Sequence, residues 1–263
     1  MSPPPILYHY FKTPLPYPRT LALQEHLHQL QLTRRRALSA HKDILLLLQH
    51  RPVYTGGRRQ TEDSTRDERA RLTRLGADFH IANRGGILTY HGPGQIVGYP
   101  LIDLARWSPP LGIRDYICNL QTTLKRHLQD SHGIAAGHSE HTGVFLDPTT
   151  KVASIGVQVR HRLTSHGFAM NVTDEPLAWF NQIVACGLAD VKAGCIQHAG
   201  GKAVSVEDII PALVQSFGRA FGREMVEMDI TQEGEDGEAI AALEAEAKAA
   251  GDWPKSPTVT SDP

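Results

Sequence analysis

Residues 87–99, Ile87-Leu88-Thr89-Tyr90-His91-Gly92-Pro93-Gly94-Gln95-Ile96-Val97-Gly98-Tyr99, hold the densest structural punctuation in the chain. Two short apolar runs flank a Gly/Pro-rich tetrapeptide, a pattern that predicts a β-hairpin. Asn83-Arg84-Gly85-Gly86 stands just before it. Paired glycines let backbone approach a ligand closely. Arg84 and His91 beside such a loop suit anion binding and acid–base work. Read alone, the same residues fit a tight hairpin with a solvated arginine equally well.

Working outward, residues 43–49 form a continuous Ile/Leu run bounded by polar residues, which predicts a fully buried strand. Residues 144–146, 152–159 and 167–172 read as further strands. In the second, Ala153, Ile155, Val157 and Val159 alternate with Val152, Ser154, Gly156 and Gln158. Leu23, Leu27 and Leu30 recur at helical spacing within 19–38, and Ile113, Ile117, Leu120, Leu124 and Leu128 within 112–131. A short helix is expected at 175–183, with Pro176 near its start. Ser205-Val206-Glu207-Asp208 resembles a capping box ahead of Ile209, Leu213, Phe217 and Phe221. Pro211 is expected to delay or bend that helix. Residues 1–18 read as an extended entry segment and 58–74 as exposed and partly helical. Together these elements predict an α/β (α+β) domain around a mixed, largely antiparallel sheet flanked by helices.

A chain of 263 residues, 41% hydrophobic, is long enough for one domain with a sizeable core. No stretch approaches the roughly 18 consecutive apolar residues of a membrane span. Three cysteines without CxxC spacing exclude a disulfide framework and a Cys-rich zinc site, and point to a reducing compartment. The net charge of −1 hides an asymmetry: residues 224–263 hold 11 of the 28 acidic groups and only 2 of the 27 basic ones. A basic body suits anionic partners, either nucleic acid or an acidic protein. The expected division is a catalytic domain over 1–226 and an acidic, disordered tail over 227–263, with one fragile helix near 240–249.

Several chemistries lack their markers. The fourteen histidines include His138-Ser139-Glu140-His141 but no HExxH or zinc spacing, and no G-x-S-x-G occurs. No metal is expected. Cys186, in Ile183-Val184-Ala185-Cys186-Gly187, is a candidate nucleophile, since a thioester keeps an acyl group activated for an amine. By local context alone, a cysteine after small apolar residues reads first as core packing. Lys151 opens a strand among apolar neighbours, where burial disfavours an ammonium and makes a usable base. Its plain reading is an edge lysine that blocks strand addition.

Four segments resemble one family. Residues 84–95, Lys151-Val152-Ala153-Ser154-Ile155-Gly156, His166-Gly167-Phe168-Ala169-Met170-Asn171 and the Cys186-Gly187 step are similar to the signature segments of lipoyl(octanoyl) transferases. The resemblance spans residues 21–221, with the segments in the family's order. It implies a fold like that of biotin- and lipoate-protein ligases, and a cofactor-free transfer of an octanoyl group. The donor would be octanoyl-acyl carrier protein. The acceptors would be apo lipoyl domains of 2-oxoacid dehydrogenases and the glycine cleavage H protein. Neither nucleic acid nor membrane is implied as a partner. By their matches, Cys186 would hold the acyl group as a thioester and Lys151 would assist as base. Arg84, Gly85, Gly86, Ile87, Leu88, Thr89, Tyr90, His91, Ser154, Ile155, Gly156, Gly167, Phe168 and Ala169 would line the substrate pocket. Backbone N–H groups near Gly156 or Gly187 suit an oxyanion, and His91 suits orientation or proton transfer. Ala185 replaces the proline many members have before the cysteine, and Cys195 offers a competing thiol. An ATP-dependent ligase is the alternative within the same fold. A eukaryotic member would work in the mitochondrial matrix, a bacterial one in the cytoplasm.

Overall fold

Ile44, Leu46 and Leu48 face one hydrophobic cluster while Leu45 and Leu47 face another, so the strand that carries them is covered on both sides. That is why its sequence runs continuously apolar instead of alternating. The computed structural model describes residues 3–184 and 190–258. In chain order the elements begin β1 (Ile6–Tyr10), α1 (Tyr17–Arg36), β2 (Asp43–Leu48), β3 (Val53–Gly56), α2 (Arg66–Arg74), β4 (Asp78–Ile81), β5 (Thr89–His91) and β6 (Gln95–Leu101). Next come α3 (Ile113–His132), β7 (Val144–Asp147), β8 (Thr150–Arg160), β9 (Leu163–Asn171), α4 (Glu175–Phe180), β10 (Lys192–Ala193) and α5 (Ile196–Gly200). The last are α6 (Val206–Phe221), β11 (Met225–Glu227) and α7 (Glu235–Ala249).

The main sheet runs β10-β8-β9-β6-β2-β1-β11, with β7 also paired to β8. Its β2–β6, β6–β9, β8–β9 and β7–β8 pairings are antiparallel; β1–β2, β1–β11 and β8–β10 are parallel. The mixed, largely antiparallel α/β architecture read from the sequence is therefore the observed one. Helices α3 and α6 cover one face, burying Leu120, Leu124, Leu213 and Phe217. Helices α1 and α7 cover the other, with Leu23, Leu27, Ile240 and Leu243. The capping box at α6 is present: Ser205 Oγ accepts from the Asp208 amide, and the Asp208 carboxylate accepts from the Ser205 amide. Pro211 lies inside α6 without ending it. Among the described residues no helix is long and apolar enough to cross a membrane.

Two expectations are corrected. The runs around residues 91–94 do not form a hairpin. Although the Gln95 amide closes a tight turn on the Gly92 carbonyl at 3.2 Å, β5 and β6 enter different sheets. Strand β5 pairs with β3 in a separate sheet ordered β4-β3-β5, and β6 joins β2 and β9. Aromatic burial draws β5 away: Tyr90 stacks on Trp179 at 5.4 Å and packs against Tyr54, whose hydroxyl donates to the Trp179 carbonyl at 2.8 Å.

The acidic segment expected to be disordered contributes β11 and α7 to the domain. Ile240, Leu243 and Ala247 recur at i, i+3, i+7 and are buried against α1. The acids then meet bases of the body. Asp236 pairs with Arg34 at 2.5 Å and Lys42 at 3.4 Å, Glu233 with Lys42 at 2.5 Å, and Glu246 with Arg19 at 2.5 Å. Composition reads this stretch as polar because its apolar stripe is narrow and built partly from alanine.

Candidate active site

Arg84 is buried at the mouth of a pocket between β5, β6, β8 and β9. Its Nη1 donates to the carbonyls of Gly85 and Ile87, and its Nη2 to Thr55 at the carbonyl and Oγ1. These bonds hold the glycine turn in place, a structural use of the guanidinium that the sequence reading did not anticipate.

The pocket gathers Arg84, Gly85, Gly86, Thr89, His91, Ser154, Ile155, Gly156, Gly167, Phe168 and Ala169 from three separated segments. Ile87, Leu88 and Tyr90 do not line it. Alternation accounts for Leu88 and Tyr90, which point into the aromatic core behind while Thr89 and His91 face the pocket; Ile87 precedes the strand and offers its carbonyl to Arg84. Tyr17, Val97, Tyr99 and His166 line the pocket without having been singled out. Period two along residues 95–99 would have placed Val97 and Tyr99 together. Nothing local indicated Tyr17, which arrives on the first turn of α1.

The imidazoles here are uncharged. Burial, reinforced by the Arg84 charge and by any proton placed on neighbouring His50, holds His91 well below the ordinary histidine range. Burial also lowers His50 to about 4 and His166 to about 3. His50 donates from Nδ1 to the Leu15 carbonyl at 3.1 Å, leaving Nε2 to accept from the Tyr99 hydroxyl at 2.7 Å. His166 sits at φ 56°, an uncommon backbone conformation for a residue with a side chain, at the point where β9 stops pairing with β6.

A chain of amides fixes His91. Asn171 Nδ2 donates to the Gly194 carbonyl at 2.9 Å, so its Oδ1 accepts from Gln95 Nε2, also at 2.9 Å. Gln95 Oε1 is then turned to His91 Nδ1 at 2.8 Å, which must carry the proton. The Nε2 of His91 is thus a bare acceptor.

Lys151 lies between a second apolar recess, which shares Ser154 and Ala169 with the pocket, and a larger cleft. Its side chain lines the recess with Gln95, Ser154, Ala169, Asn171 and Phe180, and it also lines the cleft. Its Nζ lies 5.4 Å from the centroid of the Phe145 ring. Gly143 passes so near that a Cβ there would stand 2.5 Å from Lys151 Cε, at a backbone φ of 131°. Strand β10 pairs alongside, and the Gly194 amide donates to the Lys151 carbonyl at 2.9 Å.

Cys186, with Ala185 and Gly187, lies outside the described residues. Cys195 is fully buried beside α5, and burial pushes its thiol up, away from the thiolate. Cys118 is exposed on α3. His138 and His141 belong to no metal-holding cluster; among the described residues no group of three or more potential ligands converges.

Comparison with known proteins gives consistent results. The family described as lipoyl protein ligase A/B catalytic domain matches residues 16–218. The octanoyltransferase of Koribacter versatilis is 38% identical over 188 residues, covering 70% of this chain and 74% of its own. The mitochondrial octanoyl-[acyl-carrier-protein]:protein N-octanoyltransferase of Danio rerio is 37% identical, over 68% of this chain and 77% of its own. Among solved structures, the bipartite lipoate protein ligase of Thermoplasma acidophilum superposes with a TM-score of 0.64 at 17% identity, covering 94% and 92% of the two chains. That likeness concerns the fold. Helix α7 falls outside the matched family segment.

Proposed function

Since this chain belongs to the lipoyl protein ligase A/B catalytic-domain family and is an octanoyltransferase, we propose that it works through a cysteine thioester. It transfers octanoyl groups in protein lipoylation. In our reading the donor is octanoyl-acyl carrier protein, the carrier named for the Danio rerio relative. Cys186 Sγ attacks the donor thioester carbon, and the carrier's thiolate leaves and takes up a proton. The acceptor lysine of a lipoyl domain then attacks the Cys186 thioester through its neutral amine. An amide forms, Cys186 leaves as thiolate, and the proton lost by the amine passes to Lys151. Every bond made is matched by a thioester bond broken, so the route calls for neither ATP nor a metal.

The observation that carries this reading is the setting of Lys151. It lines both an apolar recess, which shares Ser154 and Ala169 with the pocket, and the neighbouring cleft. Phe180 on one side of the Cys186 segment, and Val191 to Ala193 on the other, line the recess that holds Lys151. The bare Nε2 of His91 suits orientation of the incoming amine or thiol. In a eukaryote we assign the chain to the mitochondrial matrix, following the name of the Danio rerio relative; in a bacterium, to the cytoplasm.

Intact-protein mass spectrometry tests the route. Wild type mixed with octanoyl-carrier protein and no acceptor should gain one octanoyl group labile to hydroxylamine. Cys186→Ser should lack it or hold it as a stable ester. An adduct that persists in the variant as a thioester would move the nucleophile to Cys195 or Cys118. No adduct, together with transfer that depends on ATP, would make the chain a ligase.

A further inference from the structure

The cleft beside Lys151 holds about 680 Å³ and is lined by Arg58, Arg59, Lys151, Arg160 and His141 without a single carboxylate. It shares Gly85, Gly86, Ile155 and Gly156 with the acyl pocket, so the two spaces adjoin. Arg160 pairs with Glu25 at 2.5 Å on the rim. Arg58 and Arg59 are exposed, and among the described residues neither has an ion-pair partner. Contrast the face of α1, where Arg19, Arg34 and Lys42 are answered by Glu246, Asp236 and Glu233. The acidic segment neutralises one side of the basic body and does not reach Arg58 or Arg59.

The backbone at Arg58 is anchored to the turn at Arg84. The Arg58 amide donates to the Arg84 carbonyl at 3.1 Å. The turn before it runs so close to its neighbour that a Cβ on Gly57 would stand 2.1 Å from the Gly86 carbonyl oxygen. The backbone that carries the two arginines is thereby tied to the turn that Arg84 organises beside the pocket. Ile113, 53% exposed at the start of α3, and Ile117 add an apolar strip to the same cleft. Exposed cations beside an apolar strip fit a partner that presents phosphate and carboxylates around an acyl chain.

We propose that this cleft is the docking site of the acyl donor, with Arg58 and Arg59 receiving the phosphate of its thiol-bearing arm and the acidic carrier protein seated over Ile113. The proposal rests on the octanoyltransferase reading. It divides the two macromolecular partners: the donor uses the cationic cleft, and the lipoyl-domain acceptor uses another approach to Lys151.

The test pairs Arg58→Ala/Arg59→Ala with the wild-type chain against two donors. One is octanoyl-carrier protein; the other is octanoyl-N-acetylcysteamine, the same thioester with neither phosphate nor protein. The variant should raise KM for the carrier about tenfold or more and leave kcat within about twofold. The small thioester and the acceptor KM should be unaffected. Raising salt should weaken carrier use by wild type more than by the variant. Equal losses with both donors would overturn the assignment, and a rise confined to the acceptor KM would give the cleft to the lipoyl domain. Titration of the carrier against each chain, which needs no turnover, separates this result from a failure of the transferase reading. Carrier binding that is lost in the variant supports the cleft whatever the chemistry, and equal binding overturns it.

Discussion

Asn171 donates its amide to the carbonyl of Gly194 at 2.9 Å, and that contact decides which nitrogen of His91 carries the proton. A carbonyl only accepts, so the sense of each bond through Gln95 to the imidazole follows from it. Gly194 also donates to the Lys151 carbonyl, which ties the relay to the strand of the candidate base.

Asn171→Leu should therefore lower kcat by roughly tenfold to a hundredfold, since Gln95 loses its orienting partner and His91 its assigned proton. The acceptor KM should change little. The ¹⁵N shifts of the His91 ring would report the tautomer directly. Unchanged shifts with reduced activity would assign Asn171 a packing role instead.

Acid should destabilise the fold above the pH at which carboxylates titrate. His50 is lowered to about 4 and His166 to about 3, in both cases chiefly by burial, while unfolded histidines titrate near 6.5. Between those limits the unfolded chain binds more protons, so stability is full above pH about 6.5 and falls as pH drops toward 4. Each such group contributes a slope of up to about 1.4 kcal/mol per pH unit. Denaturation midpoints at several pH values should show it, and His50→Phe should reduce the slope. A slope identical to wild type would mean His50 is not the group responsible.

Helix α7 should behave as part of the core. Ile240→Ala and Leu243→Ala each remove a buried aliphatic side chain and should cost about 2–5 kcal/mol of unfolding free energy. Urea denaturation would measure it. No change in either variant would return residues 235–249 to the status of a loose tail.

Gly143→Ala should disable the site without dismantling the fold. The added Cβ meets Lys151 Cε at 2.5 Å and the Ala153 carbonyl at 2.6 Å, on a backbone that disfavours any side chain. We expect octanoyl transfer to fall on the order of a hundredfold. The thermal midpoint should drop only by several degrees. Activity near wild type would show that Lys151 tolerates displacement.

Much was legible in the residues alone. The β2 run, the apolar stripes of α1 and α3, and the Ser205–Asp208 box are local patterns, and local backbone preferences settle them. The Arg84-Gly85-Gly86 turn was marked by its paired glycines, whereas residues 154–156 and 167–169 were drawn into the pocket by the family resemblance.

The remainder depended on contacts between distant parts of the chain. Whether β5 pairs with β6 or leaves for β3 turns on Tyr90 finding Tyr54 and Trp179, residues 36 and 89 positions away, which no periodicity encodes. The same choice of face put Thr89 and His91 into the site and took Leu88 and Tyr90 out. Helix α7 is polar by composition and forms because α1 offers both an apolar groove and matching bases. Sequence determined which segments are strands, helices and tight turns; only the tertiary structure decided which side chains share a pocket, since burial is a property of partners that meet in space.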